Sequence, residues 1–265
     1  MPADEHDLIA VVEQSPDAAG RHDRAAWIAL FTPDARIEDP VGSRPHIGTR
    51  QIQRFYDTFI GPRDIVFRRN VDIVAAATVI RDVDLEVSLS SSRRMTIPAV
   101  LRYDLDLSQG PPRIAALRAY WELPTMMTQF LRLGWVAAPA GVTLAGGLLR
   151  HQKLGGTLGF AKALRGAGRR GRAVATRLIG HLASGETRSA EDLLHGPITI
   201  NNEATNADEL ADRLRAATIT KVIASGHTVV VSTISAQGPG VLFATITPRQ
   251  GLIDSVRCYR PSGAG

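Results

Sequence analysis

The chain repeats itself. "RIAALRAYW" from Arg113 aligns without a gap on "LIDSVRCYR" from Leu252, which sets Arg118 on Arg257 and Tyr120 on Tyr259. Upstream, "ARIEDP" from Ala35 matches "ITINNE" from Ile198, placing Ile200 on Ile37 and Asn202 on Asp39. A pattern that returns in the same order points to one structural plan used twice. Chance alignment of short apolar strands is the competing account. The 265 residues suit either one large domain or two of roughly 130.

Each copy orders its elements in the same way. Residues 7–31 predict two short helices, the first broken at Ser15-Pro16-Asp17, where a cap and a proline at the first helical position fall together. A strand over Ile37–Asp39 follows, then a Pro/Gly loop. A helix from Thr49 then carries Ile52, Phe55, Tyr56 and Phe59. Strands are predicted at Ile65–Phe67, Asp72–Ala77, Thr78–Leu89, Arg94–Leu107 and Ile114–Glu122. In the second copy Val174–Leu182, Ser189–Leu194 and Ala207–Ala216 read as helices. Strands follow near Thr218–Ala224, Thr228–Ser235 and Val241–Thr247. Helices first and an antiparallel meander afterwards is an α+β order. The expected architecture is a cone: a curved antiparallel sheet packed on helices and enclosing a pocket, present in two tandem copies.

One residue breaks the pattern of the strand it ends. Side chains alternate on a strand, so Arg36 and Glu38 share the wet face while Ile37 and Asp39 share the other. A carboxylate on the apolar side loses hydration, its pKa rises, and it becomes a better base. The alternative is a local one, in which Asp39 caps the Pro40–Gly42 turn.

Charge divides the chain in three. Between Glu122 and Glu186 there is no acidic residue but there are nine basic ones, from Arg132 to Arg177, in a protein of net charge +5. Residues 1–124 and 172–265 are therefore expected as the two copies, and 125–171 as a hydrophobic and basic helical insert. The run Leu133–Leu149 has no charge, yet at seventeen residues with several Gly and a Pro it is too short and broken to span a bilayer. It suits a helical hairpin in a membrane interface, reached through 125–172, or a connector packed between domains. The single cysteine, Cys258, excludes an intrachain disulfide, and the acidic start MPADEHDLIA lacks a signal-peptide block, so a cytoplasmic location, peripheral to a membrane at most, is expected. Aromatic residues are too sparse in the basic run for nucleic acid. "GAGRRG" from Gly166 follows no strand and opens no dinucleotide site. The seven histidines show no ligand spacing, so neither metal nor cofactor is expected.

"IEDPVGS" with the Pro, Gly, Ile and Phe-Tyr that follow, preceded by "ALFTPDA" and closed by "RAYWEL", resembles the ketosteroid isomerase family of the SnoaL-like and nuclear-transport-factor-2-like superfamily over residues 7–123. That resemblance implies a steroid or other flat apolar small molecule as ligand, with Asp39 as the general base that carries a proton between two carbons. The family's tuned carboxylates are a standard worked example of such chemistry. It also implies that Tyr56 belongs to a hydrogen-bond network at the site and that Trp121 lines the pocket. Phe55 is expected in the same lining. The family's two donors to the ketone oxygen are missing, because Ser15 and Leu101 stand at their positions. Tyr103, which shares a strand face with Leu101, and Tyr56, if its usual partner is absent, are the candidate substitute donors. A non-catalytic sterol- or lipid-binding module is the alternative function. Arg102 and Asp104 are similar to the Arg/Asp pairs of limonene-type epoxide hydrolases, but without a third carboxylate they read as a surface pair. The second copy, with Asn202, Leu214 and Arg260 at the positions of Asp39, Tyr56 and Trp121, is expected to be catalytically silent and to stand in for a partner subunit. A homodimer through the first domain is the alternative.

Overall fold

A computed structural model describes residues 4–90, 93–108, 110–122, 126, 167–247 and 252–261. It divides into two compact units, one carrying the first six strands and the other the last six.

The first unit opens with α1 (Glu5–Gly20) and α2 (Arg24–Ala29). Asp4 starts α1 with a reciprocal capping box to Asp7. The predicted break at Ser15-Pro16 does not occur. Pro16 sits inside a continuous helix, since Leu8, Val12, Ser15 and Ala19 keep one buried stripe at helical spacing on both sides of it. Burial of that stripe outweighs the one backbone hydrogen bond a mid-helix proline removes. Helix α2 stops at Ala29, and Phe31, expected in the helix, begins the strand β1 (Phe31–Glu38) instead.

After β1 come β2 (His46–Ile47), α3 (Thr49–Phe55) and a π-helical turn over Tyr56–Ile60. Four longer strands complete the unit: β3 (Ile65–Ala75), β4 (Thr78–Ser90), β5 (Arg93–Asp106) and β6 (Arg113–Tyr120). The two short strands expected over 65–77 are one. The sheet order is β2-β1-β6-β5-β4-β3, in which β1 and β6 run parallel while β5 pairs antiparallel with β4 and β6.

The second unit builds the same sheet on α4 (Gly168–Ser184), α5 (Thr187–Glu191) and α6 (Ala207–Leu214). Its strands are β7 (Ile198–Ile200), β8 (Glu203–Thr205), β9 (Thr218–Ser225), β10 (Thr228–Ser235), β11 (Gly238–Ile246) and β12 (Ile253–Tyr259). The order β8-β7-β12-β11-β10-β9, with β7 and β12 parallel, repeats the first sheet strand for strand. The fold is α+β with two tandem cones.

Strand pairing corrects the alignment of the copies by two residues. Ile37 lies beside Leu117, and with Arg118 set on Arg257 its counterpart is the residue beside Val256, which is Ile198. Ile200, beside Cys258, therefore holds the place of Asp39, and Asn202 falls past it in the β7–β8 turn with φ +73°. The error arose because β7 turns back directly into β8, whereas a loop of seven residues separates β1 from β2. Sequence matching slid across that difference. Either residue leaves the second copy without a carboxylate at this position.

The two interiors also differ. In the second unit Val174, Leu178 and Leu182 of α4 and Leu210 and Leu214 of α6 meet Val229, Leu242 and Cys258 of the sheet in one continuous buried core. In the first unit the concave face encloses space.

Candidate functional site

The cavity of the first unit has a volume of about 180 Å³. Its walls are strongly apolar. Leu85, Val87, Ile97, Leu101, Leu117 and Ala119 face it from the sheet; Trp27, Phe55, Phe59 and Ile60 close it from the helical side. Alternation on neighbouring strands explains the placement, since Leu101 pairs with Ala119 and Tyr103 with Leu117, and these positions share one face. Four lining residues bring polar atoms of their own beyond the indoles: Asp39, Ser15, Tyr103 and Arg63.

Asp39 follows the end of β1, next to a cis peptide with Pro40. Continuing the parallel register of β1 with β6 sets it beside Ala119. Its carboxylate accepts a hydrogen bond from Trp121 Nε1 at 2.5 Å, and the turn-cap alternative is not adopted. Burial pushes the Asp39 carboxyl up to about 6, while the indole N–H bond pulls the other way by favouring the ionised form. Replacing the indole by phenyl in Trp121→Phe removes that bond and is expected to raise the Asp39 pKa further. The check is a pH titration of Asp39 by NMR or, for an active protein, an acidic limb displaced to higher pH.

Tyr103 is almost fully buried at 1% exposure, and burial holds its phenol up at about 12. At neutral pH it is a donor. Ser15 lies near it, also lining the cavity, and its Oγ accepts from Trp27 Nε1 at 3.2 Å. Arg81 adds a positive charge close to the phenol and is itself held by Asp72, with Nε and Nη2 each 2.8 Å from a carboxylate oxygen, and by Glu13 at 2.5 Å. Tyr103 and Asp39 flank β6 from opposite sides, two residues apart along it. Strand spacing and rise set their Cα atoms on the order of 12 Å apart, with both side chains turned to the same space.

Of the residues expected from sequence, Asp39, Tyr103, Trp121, Leu101, Ser15 and Phe55 line this cavity together. Tyr56 does not. Its ring packs 5.3 Å from Trp27 and against Gly61, where an added Cβ would come within 3.0 Å of Cε1. Its hydroxyl is buried, with no hydrogen-bond partner among the described residues. A π-helical turn begins at Tyr56. The turn covers Tyr56–Ile60, and from it Phe59 and Ile60 line the cavity, whereas the place of Tyr56 there is an expectation from the family resemblance.

Trp27 and Arg63 were not anticipated as lining. Trp27 is one apolar residue of the second helix, and Arg63 stands in "GPRD" after the helix end. Arg102 and Asp104 point away from the cavity, where Asp104 is shared by Arg102 Nε at 2.9 Å, Thr78 Oγ1 at 3.1 Å and the Arg118 guanidinium. No cluster of potential metal ligands occurs among the described residues, and no helix among them is long and apolar enough to cross a membrane. The proposed membrane insert falls on 125–172, most of which lies outside the described residues.

Residues 12–110 match the model of the SnoaL-like domain family. Several solved structures are similar over one copy. A Δ5-3-ketosteroid isomerase from Mycobacterium sp. is 24% identical, over 44% of this chain and 95% of its own, with a TM-score of 0.40. A Mycobacterium tuberculosis protein in complex with estradiol-17β-hemisuccinate is 20% identical, with the same coverage and TM-score. An epoxide hydrolase of the LEH-like type from M. tuberculosis is 20% identical over 51% of this chain and 97% of its own, with a TM-score of 0.42.

Proposed function

We propose, for a chain whose residues 12–110 form a SnoaL-like domain, that the first unit binds a flat apolar ketone such as a 3-oxo steroid and moves its double bond by proton transfer. One observation carries the proposal: a carboxylate with its pKa raised to about 6 stands in the wall of an otherwise apolar cavity that also holds a buried phenol. Asp39 takes the proton from the carbon between the carbonyl and the double bond, and the electron pair moves onto the carbonyl oxygen as a dienolate. Asp39 then returns the proton to the far carbon of the former double bond, and the conjugated enone forms. No outside acid or base is consumed.

The dienolate needs a donor, and Tyr103 supplies it. Its phenol replaces the missing donors at Ser15 and Leu101, and Ser15 keeps a smaller part by orienting the Tyr103 hydroxyl. Trp121, Phe55 and Leu101 hold the rings. The test is the appearance of enone absorbance from a β,γ-unsaturated 3-oxosteroid. Activity should rise through about pH 6 as Asp39 ionises and stay level while Tyr103 remains protonated. Tyr103→Phe should lower kcat by roughly 10²–10³, the usual effect of losing one oxyanion donor. Tight steroid binding with no turnover would support the alternative reading, a sterol- or lipid-binding module at a membrane surface.

A further inference from the structure

The cavity holds a charge that proton transfer does not use. Arg63 lies just past the π-helical turn and lines the same space as Asp39. Its Nη1 donates to Thr58 O at 2.7 Å and to Phe59 O at 2.9 Å, two carbonyls that the end of the helix leaves free. Those two bonds fix the plane of the guanidinium. They also use up one nitrogen and leave the edge formed by Nε and Nη2, which is the edge whose spacing matches the two oxygens of a carboxylate.

Among the described residues no Asp or Glu pairs with Arg63, whereas most arginines of this unit meet one. Arg24 pairs with Asp57, Arg68 with Glu86, and Arg81 with Asp72. The neighbouring Asp64 turns to His22. The surroundings of Arg63 are the apolar wall, and burial lowers its pKa without any compensating charge. A cation held rigidly in such a place, with a free bidentate edge, is costly unless something anionic arrives.

Its position within the cavity matters. Asp64 O accepts from Ser88 N, so the start of β3 lies beside the Val87–Met95 end of the long β4–β5 hairpin. Asp39 belongs to the level of Leu101, six residues along β5 from Met95, or up to about 20 Å of strand. The two charged groups thus stand at separate ends of one apolar trough.

We infer that the ligand of this cavity is an amphipathic acid, a flat apolar skeleton whose far end carries a carboxylate taken by the Nε–Nη2 edge of Arg63. The inference rests on the cavity being the ligand site, as proposed above, but not on Asp39 acting as a base. It also gives the ligand one direction of entry, since the anion is repelled from Asp39 and held at Arg63.

The experiment is calorimetric titration of the full chain with a matched pair, a 4-en-3-one steroid bearing a 17-carboxylic acid and the methyl ester of the same compound. The acid should bind about 10- to 100-fold more tightly than the ester, as expected for a charge-assisted bidentate contact. Arg63→Gln should erase that difference, and Arg63→Lys, which keeps the charge and loses the fork, should retain part of it. Equal binding of acid and ester by the unaltered protein overturns the inference and leaves the cavity as the steroid site. So does an acid preference that survives in a folded Arg63→Gln protein. Binding of neither compound overturns the cavity reading itself and this inference with it. If the glutamine variant fails to fold, the acid-to-ester ratio of the unaltered protein, together with its decline at high salt, still decides the matter.

Discussion

Asp39→Asn is expected to cut the proposed double-bond migration sharply and at the same time to make the protein more stable at neutral pH. Asparagine keeps the shape and can still accept from the Trp121 indole, so the cavity stays built, but a neutral amide cannot take a proton from carbon. Loss of a general base lowers rates by about 10²–10⁴. The gain in stability follows from linkage. In the unfolded chain an aspartate ionises near pH 3.9, whereas in the fold it ionises near 6. Below about pH 4 both states are protonated and there is no penalty. Between 4 and 6 the folded state resists losing the proton, so ionisation progressively costs stability, and above 6 the full cost is present. A shift of this size corresponds to about 3 kcal/mol at most, and about 1–3 kcal/mol is expected because the carboxylate is only partly buried. Denaturant unfolding of Asp39→Asn beside the unaltered protein should show this gap at pH 7 and its disappearance at pH 4. A variant that is inactive but no more stable at pH 7 would mean that Asp39 is solvated.

Arg81→Leu is expected to cause the largest loss of stability, about 3–5 kcal/mol by urea unfolding. Arg81 is 1% exposed and Asp72 only 7%, and the pair is bidentate. Removing the guanidinium strands a buried carboxylate, and that uncompensated charge is the costly part. Asp72→Leu made in the same chain should recover much of the loss, because two apolar groups in place of a buried pair are often neutral. Arg81 also lowers the Tyr103 pKa, so its loss leaves a weaker donor at the cavity. The double variant, refolded but still without that charge, separates the electrostatic role from the structural one.

What could be read from the residues and what could not differ in kind. The α+β order, the sheet of each copy and the repeat were legible because alternation on β5 and β6 and the paired "RAYW" and "RCYR" segments are local patterns. The cavity placement of Leu101, Tyr103 and Trp121 follows from the same alternation once one strand face is known to be concave. Three things were not legible. Helix α1 runs through Pro16 because tertiary burial overrides a local breaker. Tyr56, expected from the family resemblance, packs its ring against Trp27 and Gly61 instead of the cavity, and the π-helical turn that starts at it is announced by no residue type. Arg63 enters because the chain past that turn folds back over the helix end. Its meaning depends on which carboxylates are absent from its surroundings, and that is a fact of three dimensions.

The duplication has one more consequence. Ordinary ligand-binding dimers present two equal cups, and occupancy of one can inform the other. In this chain one cup holds a continuous buried core of Val174, Leu178, Leu210 and their neighbours. On the proposed reading, each polypeptide offers one open cup among its described residues, so its saturation is expected to follow a simple hyperbola with the sister copy drawing no ligand.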